Sequence, residues 1–377
     1  MKHLHQTTSR LITVFLCGDV MTGRGIDQIL PHPSDPVIYE PSMKSAKGYV
    51  ELAEDATGLI PKPVDFAYIW GDALGEWERV VPDARIINLE TAVTWSNDWE
   101  DKGINYRMHP DNVACLTVAQ IDCCVLANNH ILDWGATGLL TTLQTLEKAH
   151  LKTAGAGRNL KEAAAPAVLE IKSKGQILVF AYGSETSGIP WSWGALEDKP
   201  GVNLLADFSD ETVEHIKAHI REVKQPGDLV VASLHWGANW GYGVPRHQWK
   251  FAHRLINDAG VHVIHGHSSH HVKSIEVYKD QLILYGCGDF LDDYEGISGY
   301  EDYRGDLSLM YFATVEPCTG KLVSLRMTPM QIKHFRKNRA SREDTEWLKD
   351  TLSREGKRFG TRVDLENDNT LTLRWGE

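Results

Sequence analysis

Five apolar, strand-like runs in this chain each end in residues that bind metals or move protons, and this pattern constrains the fold more than any other feature. LITVFLC (11–17) gives way to Gly18-Asp19, and ARIINLE (84–90) closes on Asn88-Leu89-Glu90. CCVLAN (123–128) runs into Asn128-Asn129-His130, with Asp133 three residues on. DLVVASLH (228–235) ends in His235-Trp236-Gly237, and VHVIHG (261–266) opens into HGHSSHH (265–271). Loops past the carboxyl ends of strands in α/β folds converge on one crevice. The chain is therefore expected to gather Asp19, Glu90, Asn129, His130, His235, His267 and His270 into one polar active site.

Strand and helix signals alternate. Helical spacing of apolar residues marks 137–150, 210–223 and 247–259, while paired short runs at 167–171/177–182 and 272–278/281–286 read as hairpins, the second turning at Lys279-Asp280. Two further strands cover about 307–315 and 321–329. Val-, Ile- and Leu-rich strands separated by helices call for a sheet covered on both sides, and the hairpins add antiparallel strands. The expectation is a mixed-sheet sandwich flanked by helices, with 1–334 as the catalytic domain. Residues 335–377 read as a small α+β appendage or lid: a helix at 343–355 and a hairpin turning at Asn367-Asp368-Asn369.

Composition bounds the partners. The formal charge of −12 argues against a nucleic-acid backbone. None of the six cysteines forms a CxxC pair, which speaks against a thiolate zinc site and fits a reducing compartment. The run Leu11–Cys17 is too short for a leader and stops at Gly18-Asp19, and no segment has the roughly 20 apolar residues needed to span a bilayer. A cytoplasmic protein without an integral membrane segment is expected.

Taken singly, each polar strand end is weak evidence, since an Asp after a strand more often caps a helix or turn. His265 and His271 read as strand positions facing away from the site. On the substrate side, Arg24 lies in a Gly-rich turn and Arg107 in NYRMHP (105–110). Either planar fork suits a carboxylate or phosphate, and either is equally suited to pairing with a neighbouring acid. Trp191 and Trp193 in GIPWSWG (188–194), with Trp134, Trp236 and Trp240, are candidates for gripping a ring or extended peptide; core packing accounts for about half of such cases. The loop YEGISGYEDYRGD (294–306) is placed to cover the site.

The blocks GDVMTGRG (18–25), NLETAV (88–93), NNHILDWG (128–135), HWG (235–237), GHSSHH (266–271) and YGCGDF (285–290) resemble, in order and over about residues 11–330, the CapA family. That family is linked to capsule and poly-γ-glutamate synthesis. The resemblance implies the calcineurin-like metallophosphoesterase fold, a four-layer α/β/β/α sandwich of two mixed sheets. It also implies a divalent metal (Mn, Zn or Fe) held by Asp19, Glu90, Asn129, His235, His267 and His270, with His130 as general acid. Two positions depart from the fold's usual ligand set. Met21 stands where a His is expected, and a thioether is a poor ligand for hard metals; Ser268 stands near the place of another His, with His267 as the alternative donor. Three functions follow. The first is a hydrolase acting on a peptide, polyglutamate-like or phosphorylated polymer. The second is a metal-independent peptide epimerase of the same fold, using Asp19, Glu90, His130, His235 and His270 as acid–base groups. The third is a non-enzymatic polymer- or partner-binding member.

Overall fold

The first apolar run forms the centre of a sheet because, from Ile12 on, all of it but Thr13 is buried. In the computed structural model, which describes residues 11–376, β1 (Ile12–Val20) is flanked by β2 (Ala84–Leu89) in parallel and β12 (Leu307–Val315) antiparallel. Labels here follow chain order and leave out the two-residue strands. Beyond β2 come β3 (Cys123–Val125) and β4 (Lys152–Ala154), both parallel. Beyond β12 come β13 (Leu322–Lys333) and the terminal hairpin β15 (Thr361–Leu365) and β16 (Leu371–Trp375). With β11 (Asp289–Leu291) beside β1 and β14 (Arg336–Arg339) beside β13, this sheet has ten strands among the described residues.

The second sheet has six. Its order is β9 (Ile275–Tyr278), β10 (Gln281–Leu284), β8 (Val263–His267), β7 (Leu229–His235), β6 (Gly175–Gly183) and β5 (Ala167–Ile171). Successive side chains on a strand face opposite ways, and the core divides accordingly. Val179, Leu229, Val231 and Val263 pack into the cluster shared with the first sheet. Phe180, Val230, Ala232 and Ile264 pack with Val213 and Ile216 of α4 (Asp210–Val223) and Phe251 of α5 (Arg246–Arg254). The outer face of the first sheet carries α2 (Asp72–Val80) and α3 (Gly135–Lys148), with Trp77 edge-on to Phe15 at 5.0 Å. Helix, sheet, sheet, helix is the four-layer order expected from the sequence.

The C-terminal segment is α+β as read. Helix α6 (Arg342–Gly356) is capped by Ser341, whose Oγ accepts from the Asp344 amide at 3.1 Å. Its Leu348 and Leu352 join Val363, Leu371 and Leu373 in the main core, and β16 pairs with β13. The segment thus lengthens the first sheet. No helix among the described residues is long and apolar enough to cross a membrane.

One close approach places the site. A Cβ on Gly18 would lie 1.7 Å from the Gly288 carbonyl oxygen. Glycine at 18 lets β11 run against the end of β1, in a register that sets Asp289 beside Asp19.

Candidate functional site

Asp19, Glu90, Asp289, His235 and His267 meet where the carboxyl ends of β1, β2, β7 and β8 face one another. Donor atoms of Asp19, His235 and His267 lie within 4.8 Å of one another, and so do those of Asp19, Glu90 and Asp289. Asp19 belongs to both groups. All five side chains are buried. Asp19 is held by the Asn88 Nδ2 amide at 2.7 Å and by the Ser268 backbone N–H at 3.1 Å.

Asp19 and Glu90, buried beside one another, resist ionisation. Burial first, and then the Asp289 charge, push the Asp19 carboxyl up to about 7. Burial, with Asp19 and Asp289 adding to it, holds Glu90 well above the carboxylate range. Asp292, below the site, is raised to about 8 by burial and by Asp289. Burial keeps His235 and His267 neutral.

The hydrogen bonds fix which nitrogens of His265 and His267 carry protons. His265 Nε2 lies 2.6 Å from the Cys17 carbonyl oxygen, so it must donate, leaving Nδ1 as a lone pair. That lone pair accepts from Ser233 O–H at 3.1 Å, and the same Oγ accepts from His267 Nε2 at 2.8 Å. His267 Nδ1 is therefore a lone pair; it stands 3.7 Å from Asp19 Oδ1 and 2.7 Å from His235 Nδ1. His235 Nε2 lies 2.9 Å from the Asn129 side-chain amide and 3.5 Å from Glu90 Oε1, and its Nδ1 faces the His267 lone pair. With a proton on His235 Nδ1 the two rings share a hydrogen bond; without it, two imidazole nitrogens stand ready as donors to a cation beside a carboxylate. The set of carboxylate oxygen and imidazole nitrogen suits Mn, Zn or Fe.

Around this centre stand two His–Asp pairs. His130 Nδ1 is 2.6 Å from Asp133 Oδ2, and its ring stacks on Tyr106 at 3.8 Å. Burial lowers it to about 4. Lys102 ties the 94–105 loop to this pair, bonding Asp133 at 2.7 Å and the Asn129 carbonyl. His270 Nδ1 is 2.8 Å from Asp289 Oδ2, and its Nε2 is 2.9 Å from the Asn239 amide. Burial works against its charge, but the Asp289 carboxylate overcomes it and raises His270 to about 9.

The other expected residues are placed as follows. His270 lies outside both donor groups and touches them through Asp289; Asn129 reaches them through His235. The Met21 sulfur accepts the Gly23 amide, and Ser268 turns its hydroxyl to the Gly237 carbonyl. Arg24 is buried, its fork taken by Glu40 and Asp293. Arg107 is spent on the Ser96 and Asp35 carbonyls and lies over Trp134 at 3.9 Å. Of the two candidate grips, Trp193 is buried beneath Lys102 and leaves no free ring face, while Trp191 is 55% exposed. Trp236 does not line the site. It packs in the outer core, bonding the Tyr285 carbonyl, because it points from the strand end into the helical layer. Trp240 stacks on Tyr300 at 4.0 Å and lies 5.3 Å from His270, so the 294–306 loop does lie over the site. Asp289 and Ser233 lie outside the set of residues read from the sequence. Asp289 sits inside the block YGCGDF, where a strand-end Asp was a usable signal; Ser233 had none, being an interior strand residue.

A family model described as bacterial capsule synthesis protein PGA_cap matches residues 13–294. A probable polyglutamine synthesis accessory protein of Mycobacterium tuberculosis is 47% identical over 365 residues, 96% of each chain. The PGA biosynthesis protein CapA of Bacillus subtilis is 30% identical over 247 residues, 65% of this chain and 60% of that protein. A crystal structure of a novel phosphatase from Mycoplasma pneumoniae superposes with a TM-score of 0.46 at 12% identity, covering 86% of this chain and 95% of that one.

Proposed function

From the premise that this chain belongs to the bacterial capsule synthesis protein family PGA_cap, we propose that it is a divalent-metal-dependent hydrolase of a polyglutamate- or polyglutamine-type polyamide. The observation that carries this reading is the pair of donor groups that share Asp19, one with His235 and His267 and one with Glu90 and Asp289, each drawn together within 4.8 Å. In it, Asp19, His235 and His267 would hold one ion, and Asp19, Glu90 and Asp289 could hold a second. Bound metal supplies Lewis acidity and an activated water. The protein's own groups do the rest. The buried walls exclude bulk water, and Asp133 orients His130 to take a proton and return it to the leaving amine. His270, charged beside Asp289, balances the carboxylates. Arg24 and Arg107, both engaged within the protein, are left out of substrate binding in this reading, and Trp191 and Trp240 remain as rim contacts.

The test is hydrolysis of glutamate and glutamine oligomers, followed by mass spectrometry before chelation, after chelation, and after return of manganese or zinc. Activity should vanish and recover; cleavage indifferent to chelator would overturn the metal-dependent reading.

One observation favours a second reading, metal-free epimerisation. The His130–Asp133 and His270–Asp289 pairs are joined across the site by the Tyr106 and Tyr294 rings, an arrangement suited to removing an α-proton and returning it from the other side. Deuterium uptake at one Cα in heavy water would support it, and its absence across acceptor peptides would count against it.

A further inference from the structure

Two phenols stand between the His pairs. Tyr106 stacks on His130, and Tyr294 meets His270 edge-on at 5.6 Å. Their hydroxyls bond each other. They come from distant segments: the Tyr106 amide is fixed to Asp133 at 2.6 Å, and the Tyr294 amide to Asp292 at 2.8 Å. The Arg24 guanidinium lies behind both rings, 4.7 Å from the Tyr106 centroid and 5.6 Å from that of Tyr294. That gives buried Arg24 an occupation other than substrate binding.

Each phenol brings one proton, and the mutual bond consumes only one of the two. Among the described residues neither hydroxyl has another hydrogen-bond partner. The pair thus retains an O–H to offer, and an oxygen inserted between the two hydroxyls would accept from both.

We infer that Tyr106 and Tyr294 are catalytic residues whose hydroxyls together bind the carbonyl oxygen as it gains negative charge. The inference rests on the hydrolase reading. Water oxygen bonds to the carbonyl carbon, and the C=O π pair moves onto the oxygen held by the phenols. That pair returns as the C–N bond breaks. The nitrogen leaves with its electron pair and receives the water proton carried by His130, giving a carboxylic acid, which then ionises, and an amine. The two hydroxyls are held side by side before the charge appears, one O–H already free and the other released as the carbonyl oxygen replaces their mutual bond.

Phenylalanine keeps both rings and both stacks and removes only the hydroxyls. Tyr106→Phe and Tyr294→Phe should each lower kcat about 100-fold, with KM changed less than about threefold. The double variant should fall little further, because the hydroxyls act as a unit. A phosphinate analogue of the glutamyl amide should bind each variant more weakly by a similar factor, with bound metal unchanged. Variants with wild-type kcat and wild-type phosphinate affinity would overturn the inference, as would a higher KM at unchanged kcat. Failure of the hydrolase reading looks different: the wild type itself would cleave neither glutamate nor glutamine oligomers.

Discussion

Ser233 shows how much of this site depends on a residue with no chemistry of its own. Its hydroxyl passes the constraint of the Cys17 carbonyl through His265 to His267, and so decides which nitrogen of His267 is a lone pair. Groups behind metal ligands typically contribute 10–100-fold in affinity. Ser233→Ala should therefore weaken metal binding by about that factor, measured by titration with zinc against a competing chelator; unchanged affinity would contradict the relay. At this scale the sequence was legible at the strand ends, where Asp19, Glu90, His130 and His235 do lie in one buried cluster. It was illegible where partners lie far apart in the chain. Nothing near Arg24 reveals that Glu40 and Asp293 occupy it, and nothing near Trp236 reveals which layer it enters.

Elements were read well because their periods are local. The runs at 210–223 and 228–235 fold as the helix Asp210–Val223 and the strand Leu229–His235. Boundaries set by tertiary pairing were missed. Strand β1 runs past Cys17 to Val20 because Asp19 and Val20 pair with β11, whose approach depends on two glycines. Gly18→Ala would drive a methyl group into the Gly288 carbonyl and separate Asp19 from Asp289. A loss of several kcal/mol is expected, at the upper end of single substitutions and on the order of 4 kcal/mol. The check is urea unfolding, with Ala181→Gly as a mild control elsewhere; a stability within about 0.5 kcal/mol of wild type, the range of neutral substitutions, would refute the close approach of Gly18 and Gly288. The 294–306 loop is an element the sequence identified as a cover without showing its anchors. Those anchors are aromatic: Tyr300 on Trp240, and Tyr303 on His271 at 4.6 Å.

Across the whole molecule, buried neutral histidines set the acid limit of stability. His262, whose Nδ1 accepts the Val230 amide, is lowered by burial from 6.5 to about 3, and His265 by burial to about 4. Between pH 6.5 and 4 these two side chains bind more protons in the unfolded chain than in the native one, so their contribution to stability rises with pH through that window and is lost as pH falls. The raised carboxyls of Asp19, Glu90 and Asp292 act in the opposite direction, so the readout is the difference between wild type and His262→Asn, whose amide oxygen can still accept from Val230. That difference in urea midpoint should shift in favour of the variant from pH 7 to 5; a difference that does not change with pH would contradict the burial account. The four-layer order was legible from alternating strands and helices. The joining of the C-terminal hairpin to the first sheet was not, because strand order depends on partners tens of residues away.

The claim on which the rest depends is that Asp19 serves two metal positions at once. Metal content per chain, measured by inductively coupled plasma mass spectrometry on protein purified without chelator, tests it most directly. The wild type should carry close to two divalent ions, Asp19→Asn close to none, and His267→Ala should keep the position at Glu90 and Asp289. A wild type that holds no metal and takes up neither manganese nor zinc would contradict it.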